Sequence, residues 1–348
     1  MLALRVLRRY PWSLVCVLVF ETQCYHTPDC SFQNVACNPA YAALFIAGAF
    51  PSISIGFNSH TALNFVDGTV REWGGGSNGR LGNNASVNTA DGTGPSIIAT
   101  GDIQVGGRIS QLSAGHQTTC GVYNGGNVRC WGFAGSGRLG NNQNATNTGD
   151  GVGPTIVAAG DVPLGVSAVQ VAAGPHYTCV VTITGSVRCW GGSPAGETGY
   201  NSTASVGDGI GLSIIARGDV PLGGSAKQIS IGANSTCAVL TTGAVRCWGS
   251  GASGELGYGS TSNVGDGIGP SIIAAGDVPL GGIATQVSVG NAHACALLTT
   301  GAVRCWGSGA SGALGHNSTS NIGVGVGPSI IAAGDIPLGG SAVQISAG

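Results

Sequence analysis

The sequence predicts an all-β protein, and the architecture that fits it best is a β-propeller with blades of about 58 residues. Three observations lead to this prediction. A tryptophan-centred unit recurs along the chain, each unit contains short apolar runs between turn residues, and 64 of the 348 residues are glycine. Repeats of fixed length with several short strands each are typical of radial β-architectures. Glycine at this frequency argues against long helices, because each interior glycine costs a helix about 1 kcal/mol.

A unit of 58 or 59 residues repeats through the chain from residue 51 onward. Its clearest marker is one tryptophan per unit, at Trp73, Trp131, Trp190, Trp248 and Trp306. A Gly-Asp pair keeps the same step along the chain. The spacing predicts five complete units and the start of a sixth, with boundaries at 51–108, 109–166, 167–224, 225–282, 283–340 and 341–348.

Four apolar runs in each unit are predicted to be strands. In the fifth unit they read QVSVG, ACALL, AVRCWG and SIIAA, and each is bounded by Gly, Asn, Ser or Thr. Such runs between turn residues are typical of short strands, and no window has an apolar period long enough for a helix. A three-residue turn joins the second and third runs, with Gly301 in its last place. Glycine there predicts a hairpin loop that closes with a left-handed residue.

The unit carries the motif G-x-x-[H/N]-x-C-A-L, followed by T-G-x-V-R-C-W-G and by G-x-L-G. These motifs recur over roughly residues 51–348 and resemble the regulator-of-chromosome-condensation repeat family. The resemblance implies a β-propeller, usually of seven blades. Because this chain has five units and the start of another, it either closes with fewer blades or is an incomplete piece of a longer ring.

Eight of the twelve cysteines form four pairs at one spacing, Cys120/Cys130, Cys179/Cys189, Cys237/Cys247 and Cys295/Cys305. The midpoint of each pair is the middle of the hairpin turn, so the two cysteines are predicted to lie opposite each other. Cross-strand Cα distances of about 4.5–5.5 Å allow a disulfide. The first unit has Ala62 and Glu72 at these positions, so both cysteines are missing together. Reduced buried thiols and zinc are the alternatives.

The N-terminal region predicts export from the cytoplasm. Three arginines precede an apolar stretch at residues 12–20, as in a secretory signal, so residues 1–23 are interpreted as a possible signal peptide. Residues 24–50 form a separate segment that contains Cys24, Cys30 and Cys37. Disulfides persist in oxidising compartments. We therefore expect a secreted or cell-envelope protein; a misassigned gene start and a cytoplasmic location are the alternative.

Four Asn-x-Ser/Thr sequons follow the Gly-x-[L/T]-Gly turn, at Asn84, Asn144, Asn201 and Asn317. A loop in this place should face solvent, so these asparagines are possible glycosylation sites. In a chain rich in Asn, Ser and Thr, such triplets also arise by chance.

The charge pattern excludes several functions. Only 8% of the residues are charged and the net charge is −2, which argues against a disordered chain and against non-specific nucleic-acid binding. The recurring Arg before Cys-Trp is expected to stack on the tryptophan or to cap backbone. The Asp of the D-G-x-G motif is expected to serve a turn, with calcium as the alternative. Arg217-Gly218-Asp219 is read as one variant of the repeated Gly-Asp pair.

The sequence contains no recognisable catalytic grouping, so no enzyme activity and no cofactor are predicted. The residues that vary between units fall in loops such as 76–90 and 134–149, and loops on a rigid frame commonly carry recognition. We therefore expect a non-enzymatic scaffold that binds a protein partner, without nucleic acid and without a stable membrane span. The alternative, implied by the resemblance, is a guanine-nucleotide exchange factor or chromatin-binding regulator of a small GTPase.

Overall fold

The computed structural model describes residues 52–56 and 60–348. The predicted signal peptide at 1–23 and the cysteine-containing segment at 24–50 lie outside the described residues. Residues Ile53–Asn64 and Thr69–Gly348 form one compact unit, which contains the repeats apart from Ser52 and the first hairpin turn at Phe65–Gly68.

Each repeat forms one antiparallel sheet of three strands in sequence order. The first strands are β1 (Ser52–Ile55), β4 (Ile109–Ala114), β7 (Ala168–Ala173), β10 (Ala226–Ile231) and β13 (Ala284–Val289). The second strands are β2 (His60–Asn64), β5 (Thr118–Tyr123), β8 (Tyr177–Thr182), β11 (Ser235–Leu240) and β14 (His293–Leu298). The third strands are β3 (Val70–Gly74), β6 (Asn127–Gly132), β9 (Val187–Gly191), β12 (Val245–Gly249) and β15 (Val303–Gly307). The first three predicted runs of each unit are therefore strands.

The prediction of a fourth strand from the run SIIAA is wrong. The run forms a one-turn helix in every repeat: α1 (Ile97–Thr100), α2 (Ile156–Ala159), α3 (Ile214–Arg217), α4 (Ile272–Ala275) and α5 (Ile330–Ala333). In the last of these, Ser329 caps the N-terminus by accepting a hydrogen bond from Ala332 N, and Gly334 ends the helix at φ 77°. The fourth strand position is reduced to an isolated bridge, such as that between Gly307 and Ile322.

The hairpin prediction is confirmed. The glycine in the last place of the turn between the second and third strands has a positive φ in every repeat, at Gly68 (80°), Gly126 (126°), Gly185 (79°), Gly243 (84°) and Gly301 (81°). A side chain would be strained in this conformation, which explains why glycine recurs there.

Neighbouring sheets are joined by a glutamine in the first strand. The Gln170 side chain donates from Nε2 to Ile229 O (2.9 Å), and its Oε1 accepts from Ile229 N (2.9 Å) in the next repeat. Gln286 makes the same two bonds, both 3.0 Å long, with Ile345. Residues 341–348 are thus held where the first strand of a further repeat would lie, which agrees with the predicted start of a sixth unit.

The recurring tryptophans lie between repeats. Trp131, Trp190, Trp248 and Trp306 are fully buried, whereas Trp73 is half-buried. Trp190 Nε1 donates to Arg138 O of the preceding repeat (3.0 Å). A Cβ on Gly140 would lie 2.7 Å from this Nε1, so the glycine of the G-x-L-G motif is needed for the close approach. The two marker motifs of the repeat therefore meet at one contact between successive sheets.

Candidate interaction surface

The four predicted cysteine pairs are disulfides in the structure. Each joins directly opposed residues of the second and third strands, as in the Cys179–Cys189 pair of β8 and β9. Their Cα–Cα distances are 4.1, 4.1, 4.1 and 4.0 Å. The disulfides connect the two strands on either side of the hairpin turn and so fix the frame that carries the loops.

The first repeat replaces the disulfide by a buried polar cluster. Ala62 and Glu72 lie opposite each other in the same register as the cysteine pairs. The Glu72 carboxylate, 1% exposed, accepts a bond from Thr119 Oγ1 (3.4 Å), and burial raises its pKa well above the usual range. His60 Nε2 lies 3.2 Å from the same hydroxyl, and burial lowers the pKa of His60 to about 4. Sequence reasoning noted the missing cysteines but missed this cluster.

The repeated arginine forms an ion pair with the aspartate of the repeated Gly-Asp pair, a contact that was not among the expectations for it. In the third repeat, Arg188 Nε lies 2.7 Å from Asp219 Oδ1, and Arg188 Nη1 donates to Leu164 O. The expected backbone capping is therefore present. The other pairs are Arg71–Asp102, Arg129–Asp161, Arg246–Asp277 and Arg304–Asp335.

Both charged groups of the Arg217-Gly218-Asp219 tripeptide are held within the chain. Arg217 Nη2 donates to Tyr200 O (3.0 Å), and its guanidinium lies 4.9 Å from the centre of the Tyr200 ring. Asp219 pairs with Arg188. These contacts support reading the tripeptide as a variant of the repeated Gly-Asp.

The Asp of the D-G-x-G motif builds a turn. Asp150 Oδ1 accepts hydrogen bonds from Val152 N (3.0 Å) and Gly153 N (2.7 Å), as expected for an Asx turn. The same pattern recurs at Asp91, Asp208 and Asp266. Within residues 52–56 and 60–348, no group of three or more His, Cys, Asp or Glu side chains is placed to hold a metal ion.

The loops predicted to carry recognition are closed by an asparagine clamp. In loop 76–90, Asn88 Oδ1 accepts from Gly76 N (3.0 Å); in loop 134–149, Asn147 Oδ1 accepts from Ala134 N (3.1 Å). Each loop begins with a short 3-10 turn, at Ser77–Gly79 and Gly135–Gly137. The clamp fixes the two ends of each loop to each other, so the residues between them are presented on a fixed base.

One position at the start of these loops changes charge from repeat to repeat. It is occupied in order by Arg80, Arg138, Glu197, Glu255 and Ala313. Arg138 donates to Gly135 O (2.8 Å) and Pro175 O (2.7 Å), and its guanidinium lies 4.8 Å from the centre of the Phe133 ring. Burial lowers the pKa of Arg138 to about 10 and raises that of Glu197. An alignment of the five units in the sequence would have shown that this position changes charge from repeat to repeat.

The four sequon asparagines are exposed. Asn84, Asn201 and Asn317 have φ values of 56°, 56° and 54°, in the left-handed region. In the second repeat this conformation belongs to Asn142 (φ 64°), and the sequon Asn144 follows two residues later. Asparagine tolerates this region better than most residues, which gives it a structural role there as well. Glycosylation stays a prediction.

The helices of the described region are short: none has the length and apolar character needed to cross a bilayer.

These features define a class of protein: a repeat protein of successive antiparallel sheets with the β-propeller architecture. The sequence model of the regulator of chromosome condensation (RCC1) repeat matches residues 168–197, 226–255 and 284–313. The third, fourth and fifth repeats therefore match the RCC1 repeat model.

Two solved structures share the fold. The crystal structure of human WBSCR16 aligns with a TM-score of 0.60 at 18% identity, covering 85% of this chain and 69% of that chain. Prp20p from Saccharomyces cerevisiae aligns with a TM-score of 0.50 at 15% identity, covering 85% of this chain and 80% of that chain. At these identities the likeness shows the fold.

Two human relatives are much longer than this chain. The E3 ubiquitin-protein ligase HERC2 is 29% identical over 263 residues, which is 75% of this chain and 5% of HERC2. The probable E3 ubiquitin-protein ligase HERC4 is 28% identical over 226 residues, which is 65% of this chain and 19% of HERC4. The match therefore concerns a small part of each relative.

Proposed function

We propose that the protein is a non-enzymatic scaffold in an oxidising, extracytoplasmic compartment, and that its clamped loops bind a protein partner. The observation that carries the proposal is the contrast between a uniform frame and varied loops. The ion pairs recur in all five repeats and the disulfides in four. Loops 76–90 and 134–149 differ in sequence, and the residue at the loop start changes from Arg80 and Arg138 to Glu197, Glu255 and Ala313 in the later repeats.

The fixed base of the loops favours binding. A loop that is already ordered loses less conformational entropy when a partner binds, so more of the contact energy appears as affinity. The loop starts also differ electrostatically, with Arg138 in the second repeat and Glu197 in the third. These two side chains are only 6% and 1% exposed, so their charges act on contacts at the base of the loop and contribute no surface to a partner.

Four disulfides support the extracytoplasmic compartment. The Cys179–Cys189 and Cys237–Cys247 pairs are fully buried. Disulfides of this kind are rare in the reducing cytosol and common in exported proteins.

Exchange of one loop for another tests the binding proposal. Residues 134–149 are replaced by residues 251–265 of the fourth repeat, which keep an asparagine clamp from Gly251 N to Asn263 Oδ1 (3.2 Å). Partners are captured by crosslinking from the fluid or cell surface of the source. We expect at least one partner of the wild type to be lost from the exchanged variant, and urea unfolding of both proteins is the control for folding, because the exchange also removes the Arg138 bond to Pro175 O. An identical set of partners for both proteins, and for a variant with loop 76–90 also exchanged, would argue against loop recognition.

The second candidate function is nucleotide exchange on a small GTPase or binding to chromatin. It is favoured by the shared fold with Prp20p, whose structure was described together with its binding to Gsp1p and histones. A nucleotide-release assay with candidate GTPases tests it, and acceleration of release by this chain would place this function first.

A further inference from the structure

An exposed aliphatic side chain stands at the tip of the D-G-x-G turn in three repeats, and at the tip of the equivalent V-G-V-G turn in the fifth repeat. The exposures are 95% for Val152, 84% for Ile210, 91% for Ile268 and 87% for Val326. We call these residues the turn tips. The Asx bonds of Asp150 hold the Val152 turn rigid, so its side chain cannot fold back onto the protein. Single exposed apolar residues are common on protein surfaces, so the argument for a covering group depends on what lies beside these turns.

The turns that carry Val152 and Ile268 lie against the sequon asparagines of the preceding repeats, whereas the Ile210 and Val326 turns lie against Asn142 and Gly259. A Cβ on Gly151 would lie 2.6 Å from Asn84 O, and a Cβ on Gly267 would lie 2.8 Å from Asn201 O. Ser86, the third residue of the first sequon, donates from Oγ to Asp150 O (3.4 Å). The residue after each of these glycines is the turn tip, so Val152 adjoins Asn84 and Ile268 adjoins Asn201.

The left-handed conformation alone does not require a sequon. In the fourth repeat the equivalent position is Gly259 (φ 68°), followed by Ser260 and Thr261. Glycine therefore serves this turn equally well, and a Cβ there would meet open space. The fourth repeat provides a natural comparison: its turn neighbour, Val326, adjoins a loop without a sequon asparagine.

We propose that Asn84 and Asn201 carry N-linked oligosaccharides whose first sugars cover the turn tips Val152 and Ile268. In the transfer, the asparagine Nδ2 forms a bond to the anomeric carbon of the sugar. The bond from that carbon to the diphosphate of a lipid-linked oligosaccharide breaks, the diphosphate leaves, and Nδ2 loses one proton. The C–H faces of the sugar rings then contact the aliphatic side chain and remove it from water. This inference rests on the proposed extracytoplasmic compartment.

The test uses the full chain, secreted from a glycosylating host by a cleavable leader. Mass spectrometry measures the occupancy of Asn84 and Asn201, and hydroxyl-radical footprinting measures the oxidation rate of the turn tips. The variants N84G and N201G remove the sequons with the residue that the fourth repeat uses naturally, and G259N creates one. N317G is the control, because the glycines of the four turns lie against Asn84, Asn142, Asn201 and Gly259 and not against Asn317.

We expect occupied Asn84 and Asn201 in the wild type. N84G should raise the oxidation rate of Val152 several-fold and leave that of Ile268 unchanged. N201G should raise the oxidation rate of Ile268 several-fold and leave that of Val152 unchanged. G259N should lower the oxidation rate of Val326 several-fold. N317G should change none of them. Unoccupied sequons in the secreted chain, or occupied ones with unchanged oxidation rates, would overturn the inference. The redox state of the eight repeat cysteines in the native protein tests the compartment separately.

Discussion

Restoring the missing disulfide of the first repeat should stabilise the protein. Ala62 and Glu72 oppose each other in the register that the cysteine pairs of the other repeats use. The double substitution A62C/E72C would close a loop with the separation of 10 residues found in the native disulfides. With a loop of about 10 residues, the chain-entropy relation gives about 9 cal/mol/K, or about 2.7 kcal/mol at 25 °C. The substitution also removes a buried carboxyl group.

The assay is urea unfolding of the double variant in its oxidised form and after selective reduction of the new bond. We expect the oxidised form to unfold with a free energy about 2–3 kcal/mol higher than the reduced form. The matched control is A62S/E72S, which has similar side-chain volumes and cannot crosslink. Failure of the new cysteines to pair in air, or equal stability of the oxidised and reduced forms, would refute the register assigned to β2 and β3.

Three further predictions concern the contacts inside the frame. Burial raises the pKa of Glu72 in the folded protein, so the protonated Glu72 contributes fully to stability below the usual pKa of 4.5. This contribution is lost as the pH rises toward the pKa of the folded state. The E72Q variant should therefore show a flatter pH dependence of the free energy of unfolding in this range. W190A should cost about 3–5 kcal/mol in urea unfolding, and W73A clearly less, because Trp73 is only half-buried. Q170A should cost about 1–3 kcal/mol and speed amide exchange at Ile229, which loses its acceptor; unchanged exchange would contradict the inter-repeat bond.

The repeat pattern was sufficient to predict features that are determined within a single hairpin, namely the pairing of opposed residues and the conformation of the turn. The symmetry of Cys120 and Cys130 about the turn was sufficient to predict their pairing, because opposed residues in a hairpin are equidistant from its centre. The left-handed Gly301 followed from turn chemistry in the same way.

The helix at SIIAA was mispredicted because composition was given more weight than capping. Isoleucine-rich runs favour strands, but Ser329 as N-cap and Gly334 after the last residue are the start and stop signals of a helix. These signals were present in the sequence. With only four residues, the run showed no apolar periodicity that would have distinguished the two structures.

The contacts between distant residues could not be predicted from one hairpin. Arg188 and Asp219 are 31 residues apart, and Gln170 and Ile229 are 59 apart. The first contact depends on how the chain folds back onto the third strand, and the second depends on where the next sheet lies. The cluster of Glu72, His60 and Thr119 has the same origin, because Thr119 comes from the neighbouring repeat.

The proposal of a disulfide-linked scaffold in an oxidising compartment is tested by disulfide mapping of the protein purified from its native source and unfolded in the presence of excess alkylating reagent. We expect four linkages between neighbouring strands, Cys120–Cys130, Cys179–Cys189, Cys237–Cys247 and Cys295–Cys305. Eight alkylated thiols, or bonds that join different repeats, would contradict a scaffold of disulfide-linked hairpins in an oxidising compartment.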